Sequence, residues 1–368
     1  MPPRPALLAA ATLAAACGLL PLASGAVLGI DLGGEFIKAS LVKPRVPLDI
    51  VLNPEGKRRS EAVVGFFDGE QAYGGAALNQ QTRRPQNFAA FLKMLVGKGP
   101  ESGNLQWLKD THYPHDWTGT EEGTLKVELA KTGLGDDMNE YTVTELLSIL
   151  LTKQREDAEA IAEEPIKDVV ITVPPFWAQD ERQALLDAAE LAGMNVLGLM
   201  NENSAVAMKY AIDKKYDASK EHNVVFYDMG STSVKTSLVS FYTDTSGKKE
   251  KDAFKVLAVA WDEGCGGHII DSRLATRFAK EFDEKHLAAN GGESILEKPR
   301  GMARLRTQGA KTKITLSANS ETPVNVEALS NDIDYRSSIT REEFNSMNED
   351  LWARALAPVQ KVRVTVRS

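Results

Sequence analysis

The chain has 368 residues, 43% hydrophobic and 26% charged, a balance that fits a folded globular protein and excludes a disordered one. Its formal charge is −8, and −9 without the first 26 residues, whose only charge is Arg4; no basic stripe is present, so nucleic acid is excluded as a partner. This length suits one large two-lobed domain or two ordinary ones.

Residues 1–26 read as a secretory signal peptide. Arg4 supplies the positive start, Ala6 to Leu22 is apolar with a break at Pro21, and Ser24-Gly25-Ala26 offers small residues for cleavage. Once it is cleaved, no membrane contact is expected. An uncleaved anchor is the rival reading, because the apolar stretch continues through Ile30. Cys17 lies in this segment, which leaves Cys265 alone in the mature chain, without a disulfide partner or a zinc cluster. Set between Gly264 and Gly266, Cys265 reads as a small buried residue.

Strands are expected over 27–52, with a break at Pro44 and Pro47, and over 62–67 before an Asp68-Gly69 turn. A helix starts at Gly74-Gly75-Ala76. Residues 87–97 read as an amphipathic helix, with Phe88, Phe91, Leu92 and Leu95 on one side. Residues 99–139 are loop-rich, with one strand near 124–130. Thr142-Val-Thr-Glu145 caps a helix that ends before Pro165. A buried strand at 168–173, a helix at 178–192, a strand at 195–200 and a helix at 201–211 follow, an alternation that marks an α/β architecture. The polar segment 213–221 separates two lobes. Beyond it come a hairpin at 224–242, a polar tip at 243–252, a strand at 254–260, a Gly-rich turn at 264–267, helices at 268–285 and 301–316, a strand at 322–327 and a helix at 341–360.

Two short segments carry the chemistry. Gly29-Ile-Asp31-Leu-Gly33-Gly34 and Tyr227-Asp228-Met-Gly230-Ser231 each follow an apolar β-branched run and open into another. Each reads as strand, tight glycine turn, strand. Glycines at such a turn let backbone N–H groups converge on phosphate oxygens, and a carboxylate at the strand end suits a hydrated Mg²⁺. One such turn alone is an ordinary β-turn. Two of them, roughly two hundred residues apart, point to two lobes closing on one nucleotide. Neither the P-loop nor the dinucleotide Gly-x-Gly-x-x-Gly pattern occurs.

In this order the segments resemble the actin, sugar-kinase and heat-shock ATPase superfamily, and within it the heat-shock-protein-70 family. The resemblance rests on Val170-Ile-Thr-Val-Pro-Pro-Phe-Trp177, on Ala192-Gly-Met-Asn-Val-Leu-Gly-Leu-Met-Asn-Glu-Asn203, on Gly264-Cys-Gly-Gly267 with Asp271-Ser-Arg273, and on Ile339-Thr-Arg-Glu-Glu-Phe344. Val42-Lys-Pro-x-Val-Pro47 is similar to the large endoplasmic-reticulum lumenal branch, the glucose-regulated-protein-170-like proteins and their fungal counterparts. The resemblance implies a two-lobed actin-like ATPase fold of duplicated ribonuclease-H-like lobes, lobe I over 27–216 and lobe II over 217–360. It implies ATP or ADP with Mg²⁺ as cofactors, the endoplasmic reticulum lumen as location, and the lumenal heat-shock-protein-70 chaperone and unfolded or translocating polypeptides as partners. After Gln360 the family's pattern departs, so lobe II is expected to be incomplete and residues 361–368 to form an aberrant tail.

The resemblance assigns roles position by position. Asp31 and Asp228 match metal-coordinating aspartates acting through water. Gly33, Gly34, Glu35, Gly230, Ser231 and Thr232 fall in the phosphate turns. Lys93 matches the lysine that orients the attacking water, and Glu202 the glutamate near the metal. Gly266 and Gly267 match the turn beside ribose and phosphates, and Lys313 and Ser317 face the adenosine. Read without the family, Lys93 is a surface charge, Glu202 a helix cap, and the glycines ordinary turns.

Several positions depart from the pattern. Gly34 and Glu35 stand where threonines are usual, and Lys235 replaces a second carboxylate near the metal. Two roles are open for Lys235, pairing with phosphate or with Glu35. Ala310 and Ile314 replace charged residues at the adenosine site. Because phosphoryl transfer depends on tight positioning, these changes slow hydrolysis more than binding, which is spread over backbone contacts. The expected function is an ATP-binding chaperone module with weak hydrolysis. The alternative is a non-catalytic exchange factor. A small-molecule kinase on this fold requires a catalytic aspartate and an acceptor pocket, for which no motif is seen.

Overall fold

A computed structural model describes residues 25–44, 48–130, 133, 139–214, 220–244, 251–290 and 292–365. The signal segment before residue 25, Val46-Pro47 of the lumenal-branch motif, most of the 213–221 boundary, most of the 243–252 tip and residues 366–368 lie outside them.

The first half is built on a mixed sheet. Strands β1 (Val27–Leu32), β2 (Phe36–Val42) and β3 (Asp49–Ile50) form antiparallel pairs, and β4 (Ser60–Glu61) also pairs with β2. Alternation in β1 buries Leu28, Ile30 and Leu32 on one face. A separate sheet holds β5 (Val63–Phe67), β6 (Glu70–Tyr73) and β7 (Phe88–Ala90), with helix α1 (Gly74–Gln81) between β6 and β7. Asp68 and Gly69 both take positive φ, 52° and 82°, in the β5–β6 turn.

Residues 87–97 are not the continuous helix that their apolar spacing suggests. Phe88–Ala90 pairs with β5, Phe91 adopts a left-handed conformation (φ 59°), and only Leu92–Leu95 forms a helical turn, α2. Strand pairing and burial of all three β7 residues outweigh the local helical pattern. Short helix α3 (Gly103–Asp110), capped by Ser102, lies in the stretch expected to be loop, followed by β8 (Trp117–Gly119), β9 (Leu125–Glu128) and β10 (Glu140–Thr142) in one small sheet.

Helix α4 (Val143–Ala162) starts on the expected capping box: the Glu145 N–H donates to Thr142 Oγ1 at 3.2 Å, and the Thr142 N–H donates to Glu145 Oε2 at 2.7 Å. Strand β11 (Asp168–Val173) then lies parallel to β1, helix α5 (Gln179–Leu191) packs on α4, and β12 (Asn195–Asn201) extends the parallel edge. Helix α6 (Glu202–Asp213) closes this half.

The second half repeats the hairpin. Strands β13 (His222–Met229), β14 (Ser233–Asp244) and β15 (Lys251–Glu263) form an antiparallel sheet; among the described residues it lacks counterparts of the parallel strands β11 and β12 that lie on one side of β1. Val225, Tyr227, Leu257 and Trp261 stay substantially exposed on its strands. Helices α7 (Gly267–Asn290) and α8 (Pro299–Leu316) bury Phe278 and Leu305 in a second core, completed by the pair β16 (Glu321–Ser330) and β17 (Ile333–Thr340). The segment expected as one helix after Thr340 is two, α9 (Arg341–Ser346) and α10 (Glu349–Thr365), divided at Met347-Asn348. Helix α10 does not stop at Gln360: Val362 is buried against Leu238 and Ala260. Cys265 is fully buried, as expected.

His115 secures β7 beneath the lysine-bearing turn that follows it, because its Nε2–H donates to the Phe88 carbonyl at 2.7 Å. Burial lowers its pKa from 6.5 to about 4. The folded state therefore prefers the neutral ring. Its contribution to stability is complete above pH 6.5 and is lost as pH falls from 6.5 to about 4. In urea unfolding across that window, His115→Gln is expected to remove roughly 3 kcal/mol of pH dependence relative to the parent chain; identical slopes would contradict this assignment.

Candidate functional site

The two Asp hairpins face each other. In the first, the Gly33 N–H donates to the Phe36 carbonyl at 2.9 Å, and in the second the Gly230 N–H donates to the Ser233 carbonyl at 2.9 Å, closing both turns. A Cβ on Gly34 would lie 2.7 Å from Ser231 Oγ and from Thr232 Oγ1, so the turns approach within contact only because Gly34 has none. The third glycine segment locks onto the second hairpin: the Gly267 N–H donates to the Gly230 carbonyl and the His268 N–H to the Ser231 carbonyl, both at 2.9 Å. Gly33, Gly34, Gly230, Ser231, Thr232, Gly266 and Gly267 thus form one cradle of backbone.

Beneath the cradle lies a charged network. Glu202 opens α6, where the helix N-terminus favours its negative charge. Its side chain is 9% exposed and does not cap the helix. Lys93 of α2 donates to Glu202 Oε1 and Lys235 of β14 to Oε2. Lys235 also meets Asp228 Oδ2 at 2.9 Å, its cross-strand neighbour in the β13–β14 register. Burial opposes the charge on Glu202, but Lys93 and Lys235 outweigh it and hold the carboxyl below its usual range. Burial also opposes the charge on Lys235, and there Glu202 and Asp228 win, raising its pKa. For Lys93 burial prevails over the Glu202 charge and lowers its pKa.

Asp31 has a separate set of partners. Lys38, opposite it in the β1–β2 register, donates to Oδ2 at 2.8 Å, and Thr172 of β11 donates to Oδ1 at 3.0 Å. Burial pushes its pKa up, but the Lys38 hydrogen bond and charge, with Lys93 behind them, leave it lowered.

Glu35 does not meet Lys235. It turns to His268, whose Nδ1 lies 3.2 Å from Oε1. Burial keeps the His268 ring neutral, with a lowered pKa, between Phe91 and Trp107 at centroid distances of 4.2 and 5.4 Å. Lys313 reaches the Gly267 carbonyl at 3.0 Å and Asp271 Oδ2 at 2.7 Å, and so borders the cradle. Burial nevertheless raises Asp271 to about 6. Ser317 is exposed one turn further along, its hydroxyl bonded to the Ile314 carbonyl at 2.7 Å, and Ile314 itself is exposed. Among the described residues, no side-chain hydrogen bond ties Ser317 to the cradle.

Lys38, Thr172 and His268 were not singled out from the sequence. Only Lys38 left a signal there, since a tight turn at Gly33-Gly34 puts it opposite Asp31. Thr172 and His268 are brought in by tertiary packing.

The expectation that Asp31 and Asp228 coordinate Mg²⁺ through water meets competition from these side chains. Of the six carboxylate oxygens on Asp31, Asp228 and Glu202, five already accept from a lysine or from Thr172. An ammonium 2.9 Å from Asp228 repels a dication placed on the same carboxylate.

Comparison with known proteins agrees with this architecture. The sequence profile described as Hsp70 protein matches residues 27–364. The chain is 36% identical over 343 residues to Hypoxia up-regulated protein 1 of Xenopus laevis, covering 92% of this chain and 51% of that protein. It is 35% identical over 342 residues to the Danio rerio protein of the same name, covering 92% and 34%. To Heat shock 70 kDa protein 17 of Arabidopsis thaliana it is 36% identical over 353 residues, covering 94% and 39%. The chain spans about a third to a half of the length of these curated relatives. It belongs to the Hsp70 family, and the part present corresponds to the family's nucleotide-binding domain, with the actin-like ATPase fold.

The network makes a quantitative demand on stability. Glu202→Gln leaves two enclosed lysines without their shared anion and is expected to cost about 3 kcal/mol or more in urea unfolding. Asp213→Asn, which breaks the exposed i,i+4 pair with Lys209, is expected to cost about 0.5 kcal/mol or less. Equal losses would show that the buried network contributes nothing special.

Proposed function

We propose that this chain binds ADP and ATP between lobe I (27–216) and lobe II (217–360), hydrolyses ATP weakly, and serves as a chaperone module of the endoplasmic reticulum lumen. The observation that carries the reading is the commitment of Lys93 and Lys235 to Glu202 beneath an intact glycine cradle. Phosphate binding draws on many backbone N–H groups and survives a change in one side chain. Hydrolysis is less tolerant, because a water must be held in line with the phosphate by groups free to hold it. Lys93 is enclosed and already paired, which leaves it poorly placed for that task.

The location rests on the secretory character of residues 1–26 and on the lumenal-branch resemblance. The partners proposed with it are the lumenal Hsp70 chaperone and unfolded or translocating polypeptides. Since the enclosed lysines weigh against turnover rather than against binding, a nucleotide exchange factor is the second reading. Occupancy would then set lobe geometry for docking.

Calorimetric titration with ADP and ATP followed by single-turnover hydrolysis tests the proposal. Binding is expected, with hydrolysis about tenfold or more slower than that of an ordinary Hsp70 domain measured beside it. Hydrolysis at the same rate would contradict the reading of Lys93, and absence of binding by a folded sample would remove nucleotide from the function.

A further inference from the structure

We propose that Lys235 supplies from the chain itself the positive charge that a divalent cation would otherwise bring to this cleft, so that adenine nucleotides bind as free anions and Mg²⁺ adds little to their affinity. The inference rests on the nucleotide-binding reading above and goes beyond it by naming the ionic form of the ligand.

A carboxylate is the side chain expected at position 235, and an ammonium stands there instead. That exchange alters the local charge by two positive units, the charge of one divalent ion. The position also matches. Asp228 and Lys235 are directly opposed in the β13–β14 ladder, and the short turn through Gly230 fixes that register. The Lys235 side chain is 7% exposed and held from two sides, by Glu202 and by Asp228. It has little freedom to swing away when phosphate or metal arrives.

The remaining carboxylate is satisfied in the same manner. Lys38 holds Asp31, and Lys93 shares Glu202 with Lys235. Three lysines therefore meet Asp31, Asp228 and Glu202, while Glu35, a fourth carboxylate at the cradle, pairs with His268 instead. A polyphosphate approaching Gly34, Ser231 and Thr232 finds Asp31, Asp228 and Glu202 each offset by a lysine, and Glu35 turned toward His268. A metal ion normally shields phosphates from such carboxylates, and here the lysines have removed that need. A dication entering beside them meets repulsion from the ammonium groups and few free oxygens.

Titrating the chain with a fluorescent ADP analogue, once in excess Mg²⁺ and once in excess EDTA, tests this. Dissociation constants within about threefold of each other are expected. Binding in Mg²⁺ that weakens about thirtyfold or more in EDTA would overturn the inference while leaving the nucleotide reading intact. Binding in neither buffer would overturn both. In the same assay Lys235→Asp is expected to make binding depend on Mg²⁺; a folded variant that binds equally well in both buffers would show that Lys235 is not the substitute cation. Should that variant fail to fold, the comparison in the parent chain decides alone.

Discussion

One carboxylate organises this molecule. Glu202 is buried where the two halves meet, and a buried anion is tolerable only when opposite charge and hydrogen bonds surround it. Lys93 arrives from the first half and Lys235 from the second, so the same demand that keeps Glu202 ionised also holds the halves in register. The strand that carries Lys235 also sets the second glycine turn. Its approach to Gly34, and the hydrogen bonds from Gly267 and His268, follow from that placement. Further links across the same boundary join Glu35 to His268 and Arg306 to the His112 carbonyl.

The site thereby separates two properties usually found together. The glycine turns form one continuous backbone cradle, the part proposed to hold phosphate, while the side chains beneath them are rearranged in charge. Backbone donors are many and individually replaceable, whereas the alignment of a reacting water depends on a few groups at fixed distances. On the proposed reading, this arrangement retains the shape of a nucleotide cleft and gives up the electrostatics of an efficient one. For a module acting by occupancy that loss is small.

Much of this was legible in the sequence because it depends on local rules. The Asp hairpins, the Thr142 capping box, β11 and helices α4 to α8 follow from alternation, caps and glycine stops. What the sequence did not reveal depends on contacts distant along the chain. Phe88–Ala90 has the spacing of a helix face, and only its pairing with Val63–Gly65 turns it into a strand. Helix α3 is too short for its period to stand out, and β17 hides behind a polar alternation. Lys235 was visible as a departure, but two roles stayed open because Glu202 lies 33 residues away and reaches it only through the fold. Glu35 was visible as a charge problem, and its solution, a neutral buried histidine, needed α7 packed against Phe91.

The measurement that tests this account most directly is a crystal structure of the chain grown with ADP and Mg²⁺. Lys235 Nζ is expected still to bridge Glu202 and Asp228, with no octahedral ion held through water by Asp31 and Asp228. An ion at that place, with oxygen ligands at about 2.1 Å and Lys235 turned out of the network, would contradict it.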